Sequence, residues 1–215
     1  MIGTRVEWRA ARLKLLEQEK ELTRLRDEVA ATRRQLPWVK VETDYAFQTA
    51  RGVRSLTDLF DGRSQLIVYH FMMGPEWEEG CPSCSFWSDT YEGLGTHLAA
   101  RDVTFLCCSR APLSSIEAYK RRMGWTYEWV SSAGSDFNFD FGVSFSSDDT
   151  DAEYNFRRAE GFGEEAPGLS IVALRSSGLF HTYSTHARGR QVLKAPIERW
   201  STQSPMGSHS NWSPG

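Results

Sequence analysis

Two cysteines, Cys81 and Cys84, have the residue type and spacing best suited to chemistry in this chain. They form a Cys-Pro-Ser-Cys segment between a predicted buried strand and a predicted helix. At a helix start, unpaired backbone N–H groups and the positive end of the helix dipole stabilise a thiolate at Cys81. Cys84 lies about one turn further along the same face, so the two sulfurs can close a small disulfide. The pattern predicts a dithiol redox site, with a pair of buried structural thiols as the alternative.

Three glutamates, Glu76, Glu78 and Glu79, lie just before this pair. Carboxylates close to Cys81 would raise the pKa of its thiol and oppose its activation. Alternatively, they shape recognition by disfavouring acidic partners.

The remaining cysteines and histidines favour structural roles. Cys107 and Cys108 are adjacent in a predicted strand, so they should point to opposite faces and be buried. His70 lies inside an apolar run and is predicted to be a core residue. His181 and His186 could complete a zinc site with the redox pair, but the wide gap between the two pairs disfavours it. We therefore expect no metal and no organic cofactor.

Alternating strands and helices are predicted around the redox pair. Leu66–Met73 is an almost continuous apolar run, typical of a strand covered on both faces. Residues 82–100 have helical apolar spacing that begins at Phe86 and contains two glycines. The elements predicted next are a strand at Val103–Ser109, a helix from Pro112 to Met123 that ends at Gly124, and a short strand at Tyr127–Ser131.

The flanking segments are predicted to complete a mixed sheet. Short strands are expected at Trp38–Val41 and Tyr45–Phe47, then a turn and a short helix over Gly52–Phe60. The strict aromatic alternation of Phe137–Phe145 predicts a strand, and residues 146–166 a loop. Leu169–Leu174 and Leu179–Ser184 should form a hairpin, followed by a short helix from Ala187. This order predicts an α/β fold with a mixed central sheet flanked by helices.

The first 37 residues are predicted to form a separate amphipathic helix. Residues 5–36 lack Gly and Pro, and Trp8, Leu15, Leu22, Val29 and Leu36 recur every seven residues. This seam could pack on the rest of the chain or pair with a second copy as a homodimer. The predicted organisation is a helix at 1–37, a domain at 38–200 and a disordered tail at 201–215.

Composition excludes several classes of protein. The chain has 215 residues, of which 40% are hydrophobic and 13% aromatic, so it can bury a core and is not disordered overall. The net charge of −3 offers no general footprint for nucleic acid or an anionic membrane. The early residues are charged and no apolar run is long enough to span a bilayer, so we expect a cytoplasmic protein with reduced cysteines.

The segment from Tyr69 to Trp87 resembles a bacterial family of unknown function described as predicted dithiol-disulfide oxidoreductases, of the thioredoxin-like superfamily. The resemblance covers about residues 5–190, and the tail after about residue 194 departs from it. Other similar segments are Ser109-Arg-Ala-Pro-Leu, Lys120-Arg-Arg-Met-Gly-Trp, Ser131-Ser-Ala-Gly-Ser-Asp-Phe-Asn-Phe-Asp-Phe-Gly and Phe180-His-Thr-Tyr-Ser-Thr. The resemblance implies a thioredoxin-like fold with a long N-terminal helix. It also implies that Pro167 is a cis-proline that opens the strand facing the redox pair and helps to bind extended substrate. We assign Trp77 and Pro82 to the same substrate-binding surface.

The leading hypothesis for function is a thiol–disulfide oxidoreductase. Cys81 would attack a substrate disulfide and Cys84 would resolve the mixed disulfide, with a thiol reductant as the second partner.

A peroxiredoxin-like thiol peroxidase is the second hypothesis, because the segment that begins at Val53 also resembles that superfamily. Its Pro-x-x-x-Thr-x-x-Cys motif is not matched, since Pro75 is one residue too close to Cys81 and Glu78 replaces the threonine. A non-catalytic thioredoxin-like binding module is the third.

Overall fold

The computed structural model describes residues 2–146, 151–159 and 163–186. The chain divides into two compact units, Met1–Pro37 and Trp38–Gly215. The helix expected from Ala187 and the disorder expected from residue 201 lie outside the described residues.

The first unit is one long helix, α1, over Arg5–Arg33. It begins with a capping box, in which the Glu7 N–H donates to Thr4 Oγ1 at 3.3 Å and the Thr4 N–H donates to Glu7 Oε2 at 2.7 Å. No residue of α1 is buried. Packing on the rest of the chain and pairing with a second copy both stay predictions. None of the helices in the described ranges is long and apolar enough to cross a membrane.

The second unit alternates strands with helices before a final hairpin. Two 3-10 helices, Asp58–Phe60 and Asp89–Tyr91, accompany these elements. The helices are α2 (Pro82–Ser88), α3 (Leu94–Ala99), α4 (Leu113–Met123) and α5 (Phe137–Asp140). The strands are β1 (Val39–Val41), β2 (Ala46–Thr49), β3 (Gly52–Ser55), β4 (Gln65–His70), β5 (Val103–Ser109), β6 (Trp129–Ser131), β7 (Glu153–Tyr154), β8 (Arg157–Arg158), β9 (Gly168–Arg175) and β10 (Gly178–His186).

Eight of these strands form one mixed sheet in the order β1-β10-β9-β4-β5-β6-β2-β3, while β7 and β8 pair separately. The strands β4, β5 and β6 are parallel, and β9 runs antiparallel to β4 with Gly168 opposite His70. The carboxyl ends of β4 and β5 and the start of β9 therefore meet at one end of the sheet. The predicted mixed α/β sheet and its C-terminal hairpin are confirmed.

Apolar side chains cover both faces of the sheet because its central strands alternate between two cores. Ile67, Tyr69 and Cys107 point into one core, which is closed by α2, α3 and α4. Leu66, Val68 and Cys108 point into the other, where Phe137 and the Asp58–Phe60 helix pack. Every residue of β4 is buried, as its continuous apolar run predicts.

The strand predicted over Phe137–Phe145 is wrong. Residues Phe137–Asp140 are helical, and the ring of Phe137 contacts that of Phe141 with centroids 4.4 Å apart. Two side chains four residues apart lie on one face of a helix. A short run of alternating aromatic residues is therefore compatible with the periodicity of a helix as well as with that of a strand. Within this segment only Ser144 forms a β-bridge, to Glu165.

Two further boundaries differ from expectation. The helix predicted over residues 82–100 is interrupted, because Glu92 is extended and Gly93 has a φ of 76°. The turn expected from Gly52 is instead the strand β3, which pairs with β2 through Thr49 and Gly52.

Candidate functional site

Cys81 sits at the end of the loop that joins β4 to α2. Its N–H donates to the Met72 carbonyl at 3.0 Å, and its own carbonyl accepts the Ser85 N–H at 2.9 Å. Cys81 is thus the N-cap of α2, and Pro82 is the first helical residue. Proline suits this position because its missing N–H would have no partner within the helix. The predicted location of the pair between a strand and a helix is confirmed.

The two thiols differ in burial and are joined by a hydrogen bond. Cys81 is half-buried, whereas Cys84 is 1% exposed within the core beneath α2. The hydrogen bond to Cys81, followed by burial, raises the pKa of the Cys84 thiol well above its ordinary range. The Tyr69 hydroxyl and the Met72 backbone oppose this rise only in part. Cys84 therefore stays protonated at neutral pH.

Gly80 lets the loop approach the core immediately before Cys81. A Cβ at this position would stand 2.5 Å from Cε1 of Phe71 and 2.9 Å from Cε1 of Tyr119. Carbon atoms in contact are normally about 3.5–4.0 Å apart. Only glycine fits between these rings without movement, so Gly80 helps to fix the position of Cys81.

The helix α4 supports the pair from the side. The Tyr119 hydroxyl is 2.9 Å from Ser85 Oγ, which donates to the Cys81 carbonyl at 3.0 Å. Near the end of α4, Arg122 forms an ion pair with Glu79. These contacts join α4 to the residues on both sides of Cys81.

The glutamates before the pair are exposed and fall into two groups. The ion pair with Arg122 lowers the pKa of Glu79 and directs its charge toward that arginine. Glu76 and Glu78 are exposed and make no ion pair within the described part of the chain. Of the three carboxylates expected near Cys81, one is therefore paired with an arginine. The other two have no basic partner among the described residues.

Apolar side chains are exposed on both sides of Cys81. Trp77 is 36% exposed on the loop, and Phe86 is 65% exposed on α2. Phe86 lies four residues after the exposed Pro82, so the two share one face of the helix. Phe86 was expected on the apolar side of a longer helix, and this placement is wrong because α2 buries Cys84, Ser85 and Ser88 instead. The sequence assigns no partner to Phe86, so its exposure could be found only from the structure.

Pro167 lies at the same end of the sheet, directly before β9. The expected cis bond is wrong: the Ala166–Pro167 peptide is trans, and the described residues contain no cis peptide bond. The Ala166 N–H donates to the Val143 carbonyl at 2.8 Å, and the Pro167 carbonyl accepts the Tyr154 hydroxyl at 2.7 Å. These backbone groups are therefore occupied within the chain. A substrate-binding role for Pro167 stays a prediction from the family resemblance.

A buried ion pair at this end of the sheet was missed by sequence reasoning. Arg110, which follows β5, donates to Glu165 Oε1 at 2.8 Å, and Ser144 donates to Glu165 Oε2 at 2.8 Å. Burial raises the pKa of Glu165, although both partners oppose the shift. Glu165 Cγ also lies 3.5 Å from the position that a Cβ on Gly74 would occupy. The pair ties the segment before Pro167 to the segment that follows β5, and Glu165 lies next to the loop that leads to Cys81.

The other cysteines have the positions predicted for buried structural thiols. Cys107 and Cys108 are each 0% exposed and point into opposite cores. Burial raises the pKa of both thiols, to about 12 for Cys108.

His70 is a buried core residue, as predicted. Its Nε2 is 2.9 Å from Ser170 Oγ, which is 2.7 Å from Ser184 Oγ, and Ser184 Oγ is 2.8 Å from Nε2 of His181. Burial, followed by the charges of His186 and His181, lowers the pKa of His70 to about 3. Across the described residues, no three His, Cys, Asp or Glu side chains are grouped in a way that could hold a metal ion.

Comparisons with known proteins identify a family and a fold. The model of the family described as "Bacterial protein of unknown function (DUF899)" matches residues 1–210. No curated relative matches the chain.

Among solved structures, the peroxidoxin BcpB from Mycobacterium tuberculosis is 11% identical with a TM-score of 0.56, over 79% of this chain and 97% of that one. Peroxiredoxin Q from Xanthomonas campestris is 12% identical with a TM-score of 0.51, over 74% and 91%. A mutant of PrxQ from Xylella fastidiosa is 13% identical with a TM-score of 0.50, over 73% and 92%. At these identities the likeness extends to the fold alone, and the predicted thioredoxin-like fold is confirmed.

Proposed function

Because the chain belongs to the bacterial family of unknown function DUF899, whose description assigns no reaction, we propose its function from the site itself: a thiol–disulfide oxidoreductase that uses Cys81 and Cys84. One observation carries the proposal. A half-buried thiol lies at the N-cap of a helix, and a buried thiol whose pKa is raised lies one turn further on. Paired thiols of unequal exposure are what a nucleophile and a resolving group require.

The reaction would proceed by two exchanges. The Cys81 thiolate attacks one sulfur of a substrate disulfide, forms a mixed disulfide, and releases the other sulfur as a thiolate that takes up a proton. Cys84 then loses its proton and attacks the Cys81 sulfur, which releases the second substrate thiol. Two electrons pass to the substrate, and the protein is left with a Cys81–Cys84 disulfide. A dithiol reductant would restore the starting pair by the reverse exchanges.

The roles of the two cysteines follow from their surroundings. Cys81 is half-buried and can be reached from solvent, whereas Cys84 is buried and the pKa of its thiol is raised. Attack on Cys84 by an external disulfide is therefore disfavoured. To resolve the mixed disulfide, Cys84 must only lose its proton and lie close to Cys81.

The test is exchange with hydroxyethyl disulfide, a small neutral substrate, followed by mass spectrometry under acid quench. The native protein should lose two free thiols and form a disulfide between Cys81 and Cys84. Cys81→Ala should abolish exchange, and Cys84→Ala should accumulate one mixed disulfide at Cys81. Cys108→Ala is the matched control, because this thiol is buried in the core on the other face of the sheet. Exchange that survives in Cys81→Ala would refute the proposal.

Two further measurements would favour the other hypotheses. Rapid conversion of Cys81 to a sulfenic acid by hydrogen peroxide, with slow disulfide exchange, would favour a thiol peroxidase. Full biological activity in a Cys81→Ala, Cys84→Ala double variant would favour a non-catalytic binding module.

A further inference from the structure

The exposed surface around Cys81 combines aromatic side chains with uncompensated negative charge. Trp77 lies four residues before Cys81 and Phe86 five residues after it, both side chains are exposed, and Pro82 continues the apolar face of α2 between Cys81 and Phe86. Apolar surface on both sides of a reactive group indicates contact with a larger partner. From Pro82 to Phe86 this face extends about 6 Å along the helix.

Two arginines of the elements next to the redox pair already have acidic partners. Arg122 is bound to Glu79, and Arg110 is bound to the buried Glu165. Glu76 and Glu78 flank Trp77 and, within the described ranges, have no ion pair. An approaching substrate therefore meets two carboxylates beside the exposed indole, and like charges at such short range oppose association.

We infer that the substrate of this site is a polypeptide disulfide whose flanking side chains are apolar and basic rather than acidic. This inference rests on the proposed dithiol exchange and adds to it a specificity for one class of substrate. Trp77, Pro82 and Phe86 would contact the apolar flanks, while Glu76 and Glu78 would attract the basic charge. The exchange itself is unchanged: the polypeptide disulfide is reduced to two thiols, and the Cys81–Cys84 dithiol is oxidised.

The experiment compares three probes in the presence of dithiothreitol as the dithiol reductant. Two short synthetic peptides share one disulfide with leucine and phenylalanine neighbours, and differ only in carrying several lysines or several glutamates. Hydroxyethyl disulfide is the small neutral reference. At ~10 mM ionic strength, where the Debye length is about 30 Å, the second-order rate constant should be roughly tenfold higher for the lysine peptide than for the glutamate peptide. This ratio should fall as salt is added.

Variants separate the charge from the apolar contacts. Glu76→Gln with Glu78→Gln should reduce the charge ratio about threefold or more, and a change in the reactivity of Cys81 itself cancels in this ratio because both peptides react with the same thiol. Glu42→Gln with Asp44→Asn removes the same charge after the edge strand β1 and should leave the ratio as it was. Phe86→Ala should lower the rate constants of both peptides relative to that of the neutral reference, whereas Val53→Ala, at a 75% exposed side chain on the edge strand β3, should change none of the three.

The outcomes distinguish this inference from the proposed function. Equal rate constants for the two peptides, with normal exchange of hydroxyethyl disulfide, would overturn the substrate class and leave the dithiol function standing. A rate for hydroxyethyl disulfide as high as that for the lysine peptide would also overturn it. Exchange with none of the three probes would overturn both.

Discussion

Replacing Gly80 with alanine tests whether close packing before Cys81 positions the thiol. The added Cβ would stand 2.5 Å from Cε1 and 2.8 Å from Cζ of Phe71, and 2.9 Å from Cε1 of Tyr119. Both rings belong to the core beneath α2 and α4, and Phe71 is 1% exposed, so neither has open space to enter. Overpacking of this kind costs about 1–3 kcal/mol of the free energy of unfolding.

Thermal unfolding and alkylation together measure the effect. For a chain of this size a loss of about 1–3 kcal/mol lowers the Tm by roughly 2–12 °C. Because the loop must shift to relieve the contacts, the rate at which iodoacetamide alkylates Cys81 in the folded protein should also change. The matched control is Gly95→Ala in α3, where a Cβ would meet nothing within 4 Å. There alanine should stabilise the helix by about 0.5–1 kcal/mol.

The two substitutions should change the stability of the protein in opposite directions. If Gly80→Ala unfolds at the native Tm and Cys81 keeps its alkylation rate, the close approach of the loop to Phe71 and Tyr119 is not a constraint. An equal loss of stability in Gly95→Ala would mean that glycine replacement is harmful in general.

Three further expectations follow from the buried groups. Iodoacetamide should alkylate Cys81 before Cys84, because Cys84 is buried and its pKa is raised, and peptide mapping that found Cys84 labelled first would contradict this. Tyr119→Phe should lower the free energy of unfolding by about 1 kcal/mol, measured in urea, because Ser85 Oγ loses a buried partner. The pKa of His70 falls from 6.5 to about 3 on folding, so its neutral form contributes stability that is complete above pH 6.5 and lost as the pH falls toward 3. The native protein should therefore lose about 1.4 kcal/mol more per pH unit below 6.5 than His70→Gln, and parallel pH profiles would exclude His70 as the cause.

Elements with a strong local signal were predicted well. The apolar runs that became β4 and β5 and the hairpin of β9 and β10 were all identified in place. In each, residue type, periodicity and bounding turn residues agree, which is the condition for reliable prediction. The error at Phe137–Asp140 arose where this agreement fails, since a helix of four residues is too short for its periodicity to be distinguished from that of a strand.

The position of the cysteine pair was predictable from the sequence, but its surroundings were not. The spacing and junction of Cys81 and Cys84 are local, and sequence reasoning located both. The pairing of Glu79 with Arg122 joins residues far apart in sequence, so the three upstream glutamates could not be separated into paired and unpaired members. The exposure of Phe86 likewise depends on which face of α2 the rest of the fold covers.

The position of Cys81 therefore depends on contacts outside its own segment. The loop before it is packed on Tyr119, its carbonyl is bound by Ser85, and Ser85 is itself bonded to Tyr119. The same helix α4 supplies Arg122 to Glu79. A substitution in α4 can thus change the position of the thiol without touching either sulfur, whereas an isolated Cys-Pro-Ser-Cys peptide has neither these contacts nor the burial that keeps Cys84 protonated. The sequence motif determines which two thiols are close together. The helix α4 and the core beneath it determine how much the two thiols differ in burial and how far the pKa of the Cys84 thiol is raised.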